Sequence, residues 1–512
     1  MPDPATSATD DDEAGRPPTR EHRGWILAAL MATMMLAAMD ITIVSTAIPQ
    51  IVGDLGGFAL FTWVFSSYLL AQTVTIPIYG KLSDMFGRKP VLVAGVLIFL
   101  AGSVASALAW NIVSLIAFRG LQGLGAGSVM ATVNTLAGDL YSVRERARVQ
   151  GWLSSVWGVA AIVGPALGGA FAEYASWRWI FLINLPVGAL SLYLIARFLH
   201  EQAPAHRHRI DYAGALLMFG AGGALIFGLL QGGRAWPWLS PASGIVFGTA
   251  LLLAAITVWV ERRASEPIMP GWLWRHRVLA GTNLSMVCMG LMMMGPNAYL
   301  PTFVQSVLGL GAIAAGFVLA SMSLGWPLAS SLSGRVYLRI GFRDTALAGN
   351  ALMILAALAF LALPESGSVW LLVLDQAVLG AGFGLLSTPL LVGVQSAVGW
   401  RQRGVVTGAN MFSRYLGQSL GAALFGAIFN AGIGTALADA PTSLRGQLPA
   451  RVNDVIAGLH GHRLTTAAGD YLRRGIYVAT HHVYLGVAVV AVLALVAVLL
   501  TPRHFPVAGS EE

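Results

Sequence analysis

The chain has 512 residues, 56% of them hydrophobic and 11% charged, with a formal net charge of +7. Soluble domains carry about a quarter charged residues, so the composition excludes an ordinary water-soluble domain. The basic residues cluster between apolar runs, which excludes a nucleic-acid-binding surface, and a single cysteine, Cys288, excludes an intrachain disulfide and a paired-cysteine metal site.

Residues 1–24 are polar and begin acidic (Asp10, Asp11, Asp12, Glu13), too long and too acidic for the n-region of a signal peptide; they read as a disordered cytoplasmic tail. A bilayer-crossing helix needs about 20 mostly apolar residues. Such runs are centred near Ala37, Leu70, Leu100, Gly123, Ala160, Gly188, Gly220, Leu251, Gly290, Leu324, Leu355, Gly380, Gly417 and Val492. Fourteen spans with both termini inside put the clusters Lys81/Arg88/Lys89, Arg144/Arg146/Arg148, Arg335/Arg339/Arg343 and Arg401/Arg403 on internal connections, while the short outer loops hold only Arg234. That is the asymmetry expected of a protein in the cytoplasmic membrane.

Span one, otherwise apolar, carries Asp40 in "MDITIVSTAIP". A carboxylate in hydrocarbon costs about 2.5–3.5 kcal/mol on insertion scales, so such residues mark ion or proton pathways or pair with another group. Asp40 lies about 22 Å beyond Trp25 and, in span four, Arg119 lies about 12 Å below Asn111, at 1.5 Å per residue, so the two reach similar depth. An opposite charge favours an ionised Asp40 and burial favours the neutral acid. Either a proton site or a packing ion pair follows.

The connection after span two reads "GKLSDMFGRK" (Gly80–Lys89), where Gly80 and Gly87 permit a tight turn and close helix approach and Asp84, Arg88 and Lys89 offer charge-assisted contacts between helix ends. "GKLSDMFGRKPVLVAG" returns, weakened, as "GRVYLRIGFRDTALAG" 254 residues later, and "GPALG" (Gly164–Gly168) as "GQSLG" (Gly417–Gly421) 253 residues later. Two segments at nearly one offset predict two homologous halves. The chain divides into an N-terminal six-helix bundle at 25–200, two extra helices at 211–260, and a C-terminal bundle at 277–502 with an external loop at 431–480, before a cytoplasmic tail at 503–512. Parallel repeats of this kind place a substrate site between the halves near mid-membrane.

The signature "GKLSDMFGRK", the fourth-span "LIAFRGLQGLGAG" (Leu115–Gly127), the fifth-span "GWLSSVWGVAAIVGPALGG" (Gly151–Gly169) and "WRWIFLINLPVG" (Trp177–Gly188) together resemble the major facilitator superfamily, and the span count resembles its fourteen-span drug:proton antiporter group of the EmrB/QacA type. The resemblance implies an all-α fold of two six-helix bundles plus two central helices, and export of hydrophobic or amphipathic drugs driven by the proton-motive force. A dedicated exporter of an endogenous product is the alternative. It implies proton coupling at Asp40 and Arg119, a cytoplasmic gate at Gly80, Asp84, Gly87, Arg88 and Lys89, and an antiporter motif at Gly151, Gly164, Pro165, Gly168 and Gly169. Protons are the coupling ion, and no cofactor or metal is expected. Partners are a small hydrophobic or amphipathic solute and the lipid bilayer; a monomer is expected, with a periplasmic adaptor left open.

Two departures qualify the match. Leu338 stands where the first copy has Asp84, and span ten, "AGFVLASMSLGWPLASS", has no acid; Asp375 in span twelve either replaces it or is a solvated interfacial acid. For the substrate cavity the candidates are Gln122, Trp152, Trp157, Tyr299, Trp326 and the "LMMMG" cluster (Leu291–Gly295), whose flexible sulfurs suit varied apolar ligands and whose indoles accept a cation. Arg414, in span thirteen, either lines the cavity or pairs with a carbonyl. An ATP-driven pump is excluded because the only two lysines, Lys81 and Lys89, precede Leu and Pro rather than the Ser or Thr of a P-loop. A membrane-embedded hydrolase would need an H-E-x-x-H or nucleophile elbow, and neither occurs.

Overall fold

The computed structural model describes residues 22–57, 60–201, 211–233, 235–449, 455, 459 and 465–505, among which there is no β-strand. The disordered tail expected over 1–24 therefore lies outside the described residues up to 21, and helix begins at Arg23. Fourteen long helices follow. The first six are α1 (Arg23–Val44), α2 (Thr62–Phe86), α3 (Arg88–Ala107), α4 (Ile112–Leu140), α5 (Val143–Tyr174) and α6 (Asn184–Phe198). Then come α7 (Tyr212–Gln231) and α8 (Pro241–Glu261), and after them α9 (Arg277–Ser306), α10 (Ala312–Ile340), α11 (Phe342–Leu361), α12 (Val369–Ser396), α13 (Arg403–Ala438) and α14 (Thr466–Leu499).

Thirteen of these spans are long and apolar enough to cross a membrane, with α6 counted together with the turn Trp179–Leu182. The fourteenth, α2, is equally long at 25 residues but dilutes its apolar run with Ser66, Gln72, Thr73 and Thr75, all buried against neighbouring helices. Local chemistry sets the starts. Asn111 and Ser114 form a capping box on α4, Ser142 and Glu145 one on α5, and Asp211, Ser240 and Thr465 cap α7, α8 and α14 with side-chain oxygens. Within the segment read as an external loop over 431–480, the described residues include the end of α13, which runs on to Ala438, and the start of α14 at Thr466.

The packing repeats with a shift of eight helices. Helix α1 lies against α5 and α6, as α9 lies against α13 and α14; α4 packs on α2 and α3, as α12 packs on α10 and α11. Between the halves, α5 meets α10 and α13 meets α2. The glycines seen as a repeated motif explain the close approaches. A Cβ on Gly164 or Gly168 would strike Thr42 or Ile43 of α1 or Thr46 just beyond its end, and one on Gly417 or Gly421 would strike Val287 or Leu291 of α9. The joints also match: Gly87, between α2 and α3, has φ 93° and ψ 157°, and Gly341, between α10 and α11, has φ 89° and ψ 165°. Both fall where L side chains are strained, so glycine is required twice for one turn.

Helices α7 and α8 form a hairpin packed on itself, and α7 also touches both α2 and α13. It therefore covers one of the two seams between the halves. Trp63 of α2 stacks on Phe227 of α7 with centroids 5.2 Å apart, and Lys81 pairs with Glu266 at 3.6 Å. Among the described residues, the pseudo-equivalent seam between α5 and α10 has no such cover.

Candidate functional site

Asp40 and Arg119 meet inside the first six helices, each with no exposed surface. Arg119 Nη1 donates to Asp40 Oδ2 and, at 2.7 Å, to Gln122 Oε1. Gln122 Nε2 and Asn184 Nδ2 donate to Asp40 Oδ1 at 2.8 and 3.3 Å, and Asn184 also reaches Ser103 Oγ at 2.9 Å. The guanidinium lies 4.3 Å from the centre of the Tyr68 ring. Five helices thus supply one cluster: α1 the acid, α4 the base and Gln122, and α2, α3 and α6 the residues Tyr68, Ser103 and Asn184. Three side-chain donors on one carboxylate replace the water it loses, which is what keeps a buried charge tolerable. Arg119 Nη2 and the Tyr68 hydroxyl remain without a hydrogen-bond partner among the described residues.

Gln122, expected in the substrate cavity, belongs instead to this cluster. Its position three residues after Arg119 puts it on the same helical face, a spacing visible in the sequence. Asn184 and Ser103 were missed; the only signal was their polarity inside apolar spans.

The signature loop makes a second cluster at the basic end of the molecule. Asp84 accepts hydrogen bonds from the backbone amides of Gly404 and Val405, both at 2.8 Å, and pairs with Arg88 at 2.7 Å. It thereby caps the start of α13 across the interface, where free amides and the helix dipole favour an anion. Arg88, fully buried, donates to Asp139 Oδ2 at 2.9 Å and to the Trp400 carbonyl at 2.6 Å, and lies 3.9 Å from the Trp400 ring centre. Asp139 in turn receives Arg403 at 3.1 Å. Gly80 packs backbone to backbone on Gly404 and Gly408. Lys89 stands apart from the ion pairs: Nζ donates to the Leu199 carbonyl at 2.6 Å and caps the end of α6. As the sequence implied, Leu338 forms no ion pair and is half exposed; its neighbour Tyr337 instead donates from its hydroxyl to the Val143 carbonyl.

Among the described residues, the hydrogen bonds and ion pairs seen to join the two halves lie at this end: those above, together with Arg146 to Ser396, Gln395 to the Asn134 carbonyl and Arg403 to the Gly138 carbonyl. Among the described residues the halves are thus bolted at the basic face.

The fifth-helix motif divides its glycines between two neighbours. Gly151 approaches Ser331 and Pro327 of α10, whereas Gly164 and Gly168 approach α1. Gly169 meets nothing within 4 Å and is not a packing glycine. Pro165 lies inside the helix, which passes through it unbroken. Trp152, 52% exposed, shares a face with Val159, Ile162 and Val163, opposite the side that meets α1 and α10, so it faces lipid rather than a cavity. Trp157, half-buried, packs against the first-half core.

In the second half, Tyr299 stacks on Phe429 with centroids 4.5 Å apart and is part of the α9–α13 packing. Within the methionine cluster, Met292 is buried in the core, and Met293 accepts from Gln418 at 3.7 Å. Trp326 packs on Phe383 and stands 6.0 Å from the Arg414 guanidinium. Asp375 is buried, not solvated: Gln376 Nε2 donates to it at 2.9 Å and to the Tyr484 hydroxyl at 3.0 Å. No group of three or more metal-ligating side chains occurs among the described residues.

Two pseudo-symmetric six-helix bundles, the first enclosing a buried acid–base pair, bolted together at one face, define a multi-pass membrane transporter. The profile of the Major Facilitator Superfamily matches residues 30–422, and the chain belongs to that superfamily. It is 34% identical over 439 residues to the "Multidrug transporter protein MdtP" of Bacillus subtilis (strain 168), covering 86% of this chain and 81% of that one. To the "Efflux pump dotC" of Dothistroma septosporum (strain NZE10 / CBS 128990) it is 33% identical over 397 residues, 76% of this chain and 68% of the other. The crystal structure of the human organic anion transporter MFSD10 (TETRAN) superposes with a TM-score of 0.60 at 14% identity, over 94% of this chain and 100% of that one. That likeness bears on the fold alone.

Proposed function

We propose that the protein is a proton-driven antiporter that exports hydrophobic or amphipathic compounds across the cytoplasmic membrane by alternating access, with its basic face and both termini in the cytoplasm. The observation that carries this reading is the fully buried Asp40–Arg119 pair with its ring of donors. Protonation of Asp40 cancels one charge of the pair and leaves the guanidinium to find other partners, so proton binding and helix packing are coupled at that point. The names of the relatives supply the direction of transport and the class of cargo.

On this reading the bonds at the basic face form the inner gate, and the structure corresponds to a state closed toward the cytoplasm. Return to the inward-open state requires Asp84 to release the α13 amides and Arg403 to release Asp139. The fifth helix, locked to α1 by Gly164 and Gly168 and to α10 by Gly151, carries motion of the Asp40 helix to the other half.

The Asp40→Asn variant is expected to insert and purify normally but to lose proton-driven efflux in everted vesicles; undiminished efflux would remove Asp40 from the mechanism. A panel of cationic dyes, biocides and antibiotics, tested in a host lacking efflux pumps with and without a protonophore, distinguishes a broad exporter from one dedicated to a single product.

A further inference from the structure

One charge in the membrane interior is left unbalanced. Arg414 lies 11 residues into α13, about 16 Å from its start at 1.5 Å per residue. No acidic side chain pairs with it among the described residues, and its Nε atom is buried without a hydrogen-bond partner. Its partners are neutral. The guanidinium carbon is 5.1 Å from the ring centre of Tyr415 and 6.0 Å from that of Trp326. The buried first-half base Arg119 is already matched by Asp40, and the buried acid of the second half, Asp375, is turned to Gln376 and Tyr484.

The side chain lies on the side of α13 between its contacts with α9, made at Gly417 and Gly421, and with α2 of the other half, made at Gly404 and Gly408. Trp326 belongs to α10, which makes no extended contact with α13. The repeat gives an independent placement. With Gly164 matched to Gly417, the counterpart of Arg414 is Ala161, which is exposed and sits on the side of α5 between its contacts with α1 and α10. Tyr415, beside Arg414, packs into the first-half core. Gln418, one turn further along the same face, adds a neutral donor.

We propose that Arg414, Trp326 and Gln418 form the recognition point for an anionic group, a carboxylate or phosphate, on an otherwise apolar solute. The guanidinium takes the anion in bidentate fashion and the indole covers the adjoining apolar body. A permanent cation is disfavoured there by like charge. This proposal deepens the export reading and rests on its placement of the cavity, but it is tested by binding, which needs no gradient.

Purified full-length protein in detergent is titrated with a fluorescent carboxylate dye, its neutral methyl ester and a cationic dye. The wild type is expected to prefer the carboxylate. In Arg414→Gln the carboxylate should bind about tenfold or more weakly, the loss of one charge-assisted pair, with the ester unchanged, which also shows that the variant is folded. Arg414→Lys should keep part of the preference. Equal binding of carboxylate and ester by the wild type, or an unchanged ratio in Arg414→Gln, overturns the proposal. An Arg414-dependent preference in a protein that shows no gradient-driven efflux would defeat the export reading and leave this one standing. Repeating the titration in nanodiscs with and without phosphatidylglycerol locates the anion: competition assigns it to a lipid headgroup, and no competition to a soluble solute.

Discussion

Asp139 shows what a single residue contributes that the signature motif does not reveal. It sits in an unremarkable "LAGDLYS" at the end of α4, yet it joins Arg88 of one half to Arg403 of the other. Asp84, by contrast, was legible from its motif, although its main partners, two amides at the start of α13, were not. A backbone donor has no letter in the sequence. Removing one member of a buried pair costs about 3–5 kcal/mol because the other charge is left uncompensated. Asp84→Ala should therefore tip the protein toward the state open at the basic face. Labelling of cysteines placed near Arg403 is expected to speed up and efflux to fall; unchanged labelling would show that the bolt carries no conformational bias. The Asp40–Arg119 pair could be read from depth alone, since both positions follow from counting along helices. Asn184 could not, because only the fold turns α6 toward α1.

At the scale of elements, helix count and order followed from apolar length, and the repeated motifs located the joints. Helix ends were less legible: apolar length marks where a span enters lipid, not where its hydrogen bonds stop. Thus α13 and α14 run beyond the apolar runs into the segment read as loop, and His481 lies well within α14 against the rings of Phe303, Phe360 and Tyr477. The matched glycine joints lead to a paired prediction. Gly87→Ala and Gly341→Ala each force a Cβ into a left-handed conformation, at a cost of about 1–2 kcal/mol. Both should lower the thermal unfolding midpoint. Gly87→Ala should do more, because a Cβ there also presses on Glu201, whose carboxylate accepts the amides of Arg88 and Lys89. Equal midpoints for wild type and both variants would contradict the shared role of the joints.

For the whole molecule, the asymmetry of its two faces sets the measurable motion. Leu108 and Ile313 stand on the unbonded face in opposite halves, 69% and 91% exposed; Phe86 and Leu338 stand at the bonded face. Spin labels at the first pair should approach one another, and at the second pair separate, when the bonds at Asp84 and Asp139 are broken by mutation. Distances that move in the same sense at both faces would rule out rocking of rigid bundles. The twofold plan was legible because it is written twice. The polar cluster of Asp40 was half legible, and the direction in which each aromatic side chain points was not, as Trp152 and Tyr299 show.

The hairpin of α7 and α8 breaks the equivalence of the two flanks. It shutters the crevice between α2 and α13 with the bulk of Trp63, Phe227 and Trp236, while among the described residues no helix lies across the crevice between α5 and α10. On the proposed export reading, a greasy molecule dissolved in the leaflet would therefore take its sideways route into the interior past Trp152 rather than past the hairpin.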